Sequence, residues 1–403
     1  MILDIFNELQ SASDVRSLDA RQLLADTLDQ ARLADELGYG CWWSVEHHTS
    51  PGFSMSSAPD VWLAVLSQHT RRIRLGTAGI LSPFEINHPV RIAERAAFID
   101  VLSEGRLELG LARSGGAEWE TFGVDPTTTT DYLEEALRML PRIWAPGEFE
   151  WKSDLVKVPP REFVPKPLQQ PHPPLWQTVS TPVSSERAGR LGVGLLAAAP
   201  LATLEYVREQ IAAYDRGLAA CREPVGARIN AQRAVFMLVH CAETRREVVE
   251  SRAAEAALWF MNAAPYTFRV ARDNWFNIVR GSASQSAAGS PALAGPEAPP
   301  TPAELADPNP TIRLLHRQRA GLPIDPEEAL AAVEVIPTAV IGDVDHCRRK
   351  LRAIQAVGVD RLMCLMQFGP LPQPRVMSSL RTLGKAILPE LHGVSGIGGN
   401  PRG

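Results

Sequence analysis

The sequence predicts an α/β protein, a closed (β/α)8 TIM barrel carrying an inserted low-complexity loop. Three observations lead there. A short apolar run followed by an amphipathic stretch recurs from the start, giving four strands by residue 113. The strands are apolar almost throughout, as in Ile73-Arg74-Leu75-Gly76-Thr77-Ala78-Gly79-Ile80-Leu81, which burial on both faces requires. The repeat then reaches eight units, a number that favours a closed barrel over an open sheet.

Each element has its own local justification. Residues 2–6 form the first strand, and Asn7-Glu8 leads into a polar loop. The helix over 19–37 has apolar residues at helical spacing, Asp19 as N-cap and Gly38 as its stop. An aromatic-rich strand follows at 41–45, then a helix at 59–69 with Pro59 in its first turn. After the third strand, 73–81, a helix runs over 88–102 behind Asn87 as cap. The fourth strand, 106–113, ends in the loop Ser114-Gly115-Gly116, and a helix follows at 131–144. The proline-dotted connection 146–174 reads as a short hairpin over the barrel face.

Strand five is 175–179, and Ser180-Thr181-Pro182-Val183-Ser184-Ser185 opens a helix through Leu191. Strand six (193–198), a helix (201–220), strand seven (234–240) and a helix (244–261) continue the alternation. Residues 281–310 are a Ser, Ala, Gly and Pro insert too poor in bulky apolar residues to pack a core, expected as a mobile flap, acting as a lid, or as a disordered loop. Helices resume at 311–319 and 326–334, and an apolar stretch lies at 336–342. A helix at 344–356, strand eight at 361–367 and a closing helix at 373–388 complete a single domain, 1–392. The glycine-rich tail 393–403 is expected to be disordered.

Composition excludes several function classes. A net charge of −5 and a pI near 6.0 lack the basic surface that phosphate backbones require, so nucleic acid is not an expected partner. No run of 18 apolar residues spans a membrane, and the first residues lack a secretion signal, so the cytoplasm is expected. Five cysteines, odd in number and without ligand-like spacing, argue against a disulfide framework or a metal site.

The stretch that carries chemistry is Val45-Glu46-His47-His48. In such a barrel, residues at a strand's C-terminal end face the active-site mouth, and an imidazole there exchanges protons near neutral pH. The competing reading is a histidine pair bound into a local hydrogen-bond network. Arg113, ending strand four, is a candidate to hold a phosphate bidentately, or else to form a surface ion pair. The hydroxyls of Ser180, Thr181, Ser184 and Ser185 at a helix start fit either an anion site or plain N-capping. Trp42, Trp43 and Trp62 read as core or dimer-face aromatics. His240 could face the pocket but belongs to no motif, and Trp259-Phe260-Met261 with Trp275-Phe276 either line an apolar substrate channel or, as aromatics at helical spacing usually do, pack in the core.

Four segments in order resemble the bacterial luciferase-like, flavin-dependent monooxygenases. They are Val45-Glu46-His47-His48, Leu75-Gly76-Thr77-Ala78-Gly79-Ile80, Asn87-His88-Pro89-Val90-Arg91, and the run from Ser103-Glu104-Gly105-Arg106 to Arg113. Ile341-Gly342 with Gly358-Val359-Asp360 resembles the family's C-terminal end. The resemblance covers most of 1–260 and 336–388 and leaves out the insert.

It implies FMN, reduced by a separate flavin reductase, and O2, which adds to the flavin as a peroxyflavin and oxygenates a small or medium apolar molecule. It places His47 as the catalytic histidine, with His48 and Glu46 in support, and His88 as a second active-site histidine. Ala78-Gly79 matches the place of a non-proline cis peptide under the flavin, and Arg113, Ser180, Thr181 and Ser184 the place of the FMN phosphate. The family's glutamate is Ser180 here, its reactive strand-four cysteine is Ala112, and Leu195-Leu196-Ala197-Ala198-Ala199 lacks the tryptophan of light-emitting members. Light emission is therefore not expected. The family also implies a homodimer. Two rival readings are a deazaflavin-dependent oxidoreductase and a non-catalytic, flavin-binding partner subunit. No GxGxxG fingerprint follows a strand, so NAD(P)H is not bound in the dinucleotide-fold manner.

Overall fold

The computed structural model describes residues 1–11, 17–268, 272, 276 and 299–392. Strands β1 (Ile2–Asn7), β2 (Cys41–Ser44), β3 (Arg74–Leu81) and β4 (Leu107–Ala112) are followed by β7 (Leu175–Val179), β8 (Gly194–Ala198), β9 (Arg233–Ala242) and β11 (Arg361–Leu365). These eight pair in parallel in that order, and β11 pairs back onto β1, closing the barrel. A short antiparallel hairpin, β5 (Phe149–Lys152) with β6 (Lys157–Arg161), stands apart.

The units end where local chemistry ends them. Helix α1 (Ala20–Leu37) starts at Asp19, whose carboxylate accepts from Gln22 N at 3.0 Å, and stops at Gly38, which takes the left-handed φ of 88°. Helices α2 (Pro59–His69) and α3 (Pro89–Leu102) both place proline at a first-turn position whose N–H is not needed. The barrel interior is built around two tryptophans. The Trp43 ring occupies the space a Cβ at Gly76 would need, and the Trp176 ring does the same to Gly194. Their rings meet edge to face at 5.2 Å. Asp4 accepts from Trp43 Nε1 at 2.9 Å and pairs with both Arg361 Nε and Nη2, while Glu108 accepts from Trp176 Nε1 at 2.7 Å. The buried Asp4 and Glu108 carboxylates of this floor are therefore met by donors, and the buried Arg361 by the Asp4 acceptor.

Several expectations are corrected. The cap of α3 is His88, not Asn87, because the Asn87 amide is already bonded to Glu46, the Leu81 carbonyl and Arg95. A helix α4 (Ala117–Phe122) precedes α5 (Thr129–Trp144) and was not anticipated. The hairpin exists but is fastened to α5 through Trp151 and Ser153, which both donate to Glu135. Beyond α6 (Pro182–Leu191) and α7 (Leu204–Ala219), the helix read over 244–261 is two, α8 (Arg245–Ser251) and α9 (Ala253–Phe268), broken at Arg252 with φ of 60°. The apolar stretch near 340 is a ninth strand, β10 (Val340–Asp343), paired with the far end of the long β9. Within the insert, residues 281–298 lie outside the described residues. Pro302–Leu305 is a helical turn capped by Thr301, and Pro310–Arg319 begins at the insert's end. The tail 393–403 also lies outside the described residues. No helix among the described residues is long and apolar enough to cross a membrane.

Candidate active site

Parallel closure brings the C-terminal ends of all eight strands to one rim. Glu8 follows β1, Glu46 to His48 follow β2, Ala78 and Gly79 lie in β3, Arg113 and Ser114 follow β4, and Ser180 and Thr181 follow β7. Glu46 fixes the rim locally. Its carboxylate accepts from Leu81 N at 2.8 Å, from Asn87 Nδ2 at 3.0 Å and contacts His48 Nε2 at 3.1 Å. It thereby ties the ends of β2 and β3 to the start of α3, and holds His48 in place. A supporting role for Glu46 and His48 fits this bonding.

His47 sits between two carboxyl groups. Its Nδ1 is 3.2 Å from Glu118 Oε1, and its Nε2 is 3.6 Å from Glu8 Oε2. Its backbone N–H donates to the Ser56 carbonyl at 2.8 Å, which pins the loop carrying it. Glu118 accepts three further donors: His48 N at 3.0 Å, Ser114 Oγ at 2.6 Å and Gly115 N at 3.3 Å. Burial opposes the Glu118 charge, but these donors and His47 hold the carboxyl below its ordinary value. For His47, burial favours the neutral ring, and the Glu8 and Glu118 carboxylates outweigh it and raise the imidazole above 6.5. Glu8, fully buried, is pushed up to about 7 by desolvation, with His47 opposing and Glu118 adding. Neither carboxylate was singled out from sequence. Glu118 lies on a six-residue helix too short to show periodicity, and Glu8 read only as the start of a loop.

His88 stands differently. Its Nδ1 accepts from Val90 N at 3.2 Å, which leaves the ring proton on Nε2, and burial lowers its pKa. His240 is buried and pushed down to about 4 by desolvation and Arg375, with Nδ1 unpartnered among the described residues.

Across the rim, the Arg113 guanidinium donates through Nε to Thr129 Oγ1 at 3.1 Å and pairs with no carboxylate among the described residues. Burial and the neighbouring Arg187 both depress its pKa, so the site is short of negative charge. Arg187 lies on helix α6 (Pro182–Leu191), whose start is a reciprocal box: Ser184 N donates to Thr181 Oγ1, and Thr181 N to Ser184 Oγ. Thr181 and Ser184 thus cap the helix, while Ser180 is exposed. Between the two halves runs β3, where the Ala78–Gly79 peptide bond is cis. A Cβ at Gly79 would lie within 3 Å of the Gly110 and Leu111 backbone, so only glycine fits. Arg187 itself pairs with Glu134 at 3.4 Å. The residues still suit an anionic flavin: Arg113 and a helix start for a phosphate, small side chains on β3, and a proton group opposite.

An aromatic wall completes the mouth. Phe53 lies 6.4 Å from the His47 ring and 5.3 Å from Phe260, and stacks on Trp259 at 6.4 Å. Phe260 continues to Phe236, which meets Phe6 at 4.4 Å. The α9 residues Trp259 and Phe260 thus pack on Phe53, with Phe260 in the buried core. Trp42 and Trp62 are buried, as Trp43 is; Trp275 lies outside the described residues.

The family profile described as luciferase-like monooxygenase matches residues 6–361. The oxygenase component of flavin-dependent trigonelline monooxygenase from Acinetobacter baylyi is 31% identical over 195 residues, 48% of this chain and 52% of that protein. Limonene 1,2-monooxygenase from Rhodococcus erythropolis is 29% identical over 182 residues, 45% and 46% of the two chains. The chain thus matches about half the length of these curated relatives. Among solved structures, a monooxygenase from Streptomyces bottropensis aligns with a TM-score of 0.73 at 22% identity, covering 97% of this chain and 100% of that one. The oxygenating constituent of 3,6-diketocamphane monooxygenase from Pseudomonas putida, in complex with FMN, gives 0.69 at 17%, covering 97% and 98%. These structural likenesses speak to the fold. The profile match runs from β1 to the first residue of β11, across every strand that carries the site. The chain belongs to the luciferase-like monooxygenase family.

Proposed function

We propose that the protein is an FMN-dependent monooxygenase that oxygenates a small or medium apolar molecule. One observation carries the reading: a carboxylate-flanked imidazole, His47 after β2, and a carboxylate-free Arg113 after β4 stand on either side of β3 at one rim. Reduced FMN would supply two electrons and the place where O2 is activated, one oxygen atom going to product and one to water. Arg113, with Arg187 and the α6 start, would hold the phosphate. His47, its Nδ1–H fixed on Glu118, would present Nε2 as a proton donor to an oxygen at the mouth. Phe53, Trp259 and Phe260 would exclude water and receive the apolar substrate. His88 keeps a second donor, Nε2–H, at the β3–α3 turn.

The cofactor would arrive reduced from a separate flavin reductase, because the chain has no nicotinamide-binding fingerprint. A second copy of the chain would cover α2 and α3, where Val61, Val65, Phe98, Val101 and Leu102 stand exposed on helices joined by Gln68 and the Leu102 carbonyl. The experiment is reduced FMN with 18O2 and a panel of apolar substrates, against the same mixture with a reduced deazaflavin. Label in the product supports the reading. Tight binding of deazaflavin but not FMN refutes it.

A further inference from the structure

We propose that Glu8 is the proton partner of His47, holding a proton against Nε2 and returning it after each donation. This rests on His47 acting as the acid, as proposed above. Glu8 leaves the end of β1, the strand beside β2, so its carboxyl meets the imidazole on the side opposite Glu118. The two carboxyl groups are unequal. Glu118 takes four donors and is held as an anion. Glu8 Oε2 is buried and has no hydrogen-bond partner among the described residues, although it lies 3.6 Å from Nε2. A buried carboxyl oxygen without donors is stabilised by carrying the proton itself. Its rise to about 7 agrees with that geometry.

The segment is fixed rather than loose. Ser54 Oγ donates to the Glu8 carbonyl at 2.6 Å, and Gln10 Oε1 accepts from Gly369 N at 2.8 Å. The titratable groups beside the pair are Glu118 from α4, with Glu46 and His48 from the end of β2. Two of these are carboxylates, and both favour the imidazolium.

The transfer balances in protons, with no change in electrons. An oxygen at the mouth takes the Nε2 proton, and the N–H bond becomes a lone pair on Nε2, 3.6 Å from Glu8 Oε2. The Glu8 O–H then breaks to re-form Nε2–H. The Glu8 carboxylate regains its proton from water when product leaves. Nδ1–H stays on Glu118 throughout. Glu8 is thus a positioning residue that acts only through His47.

The test titrates His47 in the flavin-free protein by NMR of labelled histidine, with its signal assigned from its loss in His47→Gln. The wild-type midpoint is expected above 6.5. Glu8→Gln, of equal size but unable to ionise, removes the carboxylate that Glu8 becomes on giving up its proton, and with it the charge that holds the imidazolium, so it should lower that midpoint by about one unit or more. Glu8→Asp should keep it raised. In the FMN-loaded enzyme, the alkaline limb of kcat/KM should move to lower pH by the same amount, with FMN affinity unchanged. An unchanged midpoint in folded Glu8→Gln overturns the proposal. Should that variant not fold, a wild-type midpoint at or below 6.5, or a Glu8→Asp midpoint equal to wild type with the carboxyl shown ionised throughout, overturns it. A shifted midpoint in a protein that never yields labelled product leaves the proton pair standing and overturns the functional reading instead.

Discussion

Replacing Arg113 by Met separates binding from folding. Met keeps the apolar stem and removes the guanidinium, so the one hydrogen bond lost is that from Nε to Thr129 Oγ1 at 3.1 Å. Thr129 does not lose its partner, because its hydroxyl also donates to the Pro126 carbonyl at 2.9 Å. The removed cation is half-buried, disfavoured by burial and by Arg187, and balanced by no carboxylate among the described residues. Its removal should therefore leave the flavin-free protein at least as stable as wild type. A charge-assisted hydrogen bond to phosphate is worth about 1.5–3 kcal/mol, so FMN affinity should fall by roughly 10- to 150-fold. Quenching of flavin fluorescence gives Kd for FMN and for riboflavin, which has no phosphate. The loss should be confined to FMN, and the melting temperature of the flavin-free variant should not drop. Equal losses for both flavins, or an unchanged FMN Kd, would refute the phosphate assignment.

Other outcomes follow from the same structure. His47→Ala should bind FMN as wild type does and lose about 10²-fold or more in product formation; unchanged turnover removes His47 from the mechanism. Phe98→Glu places a charge in the exposed α2–α3 patch and should convert a dimer to a monomer in sedimentation analysis. A wild-type monomer would remove that interface. Asp4→Asn breaks the buried pair with Arg361 at 2.7 Å and should cost about 3 kcal/mol by denaturant titration. A loss under about 1 kcal/mol would mean that the floor repacks around the amide.

Much of the barrel was legible because its signals are local. Residues 59–69, 175–179, 326–334 and 344–356 form their elements at the boundaries the sequence pattern predicts. Proline, Asp and Gly act on the few residues beside them, so Asp19 and Gly38 bound α1 without reference to the rest of the fold. The misread places lack such signals. Arg252 takes a left-handed φ with no glycine to announce it, and α4 has six residues, under two turns. Asn87 is as good a cap by type as His88, and only the distant Glu46 diverts it. His47 could be singled out because a strand end is a one-dimensional feature. Glu8 and Glu118 were not, because they meet it from 39 and 71 positions away in sequence.

What three dimensions add is a division of charge around the rim. The strand order β1-β2-β3-β4 fixes it. Carboxylates gather on one side: Glu8 from β1, Glu46 from β2, and Glu118 folded back by Ser114 and Gly115 onto His47. Cations gather on the other, Arg113 from β4 and Arg187 from α6. Arg187 is paired with Glu134 at 3.4 Å, so Arg113 is the cation left without a carboxylate among the described residues; were it in contact with the first set, neither proton nor phosphate chemistry would remain. β3 stands between them, and at Ala78–Gly79 it presents backbone in place of bulk, with no room for a Cβ on Gly79. An anion and a group needing protons can then be served from opposite edges by one flat ligand lying over β3. A chain with the same histidine but a glutamate against Arg113 would keep the proton half of the site and lose its claim to bind a phosphate.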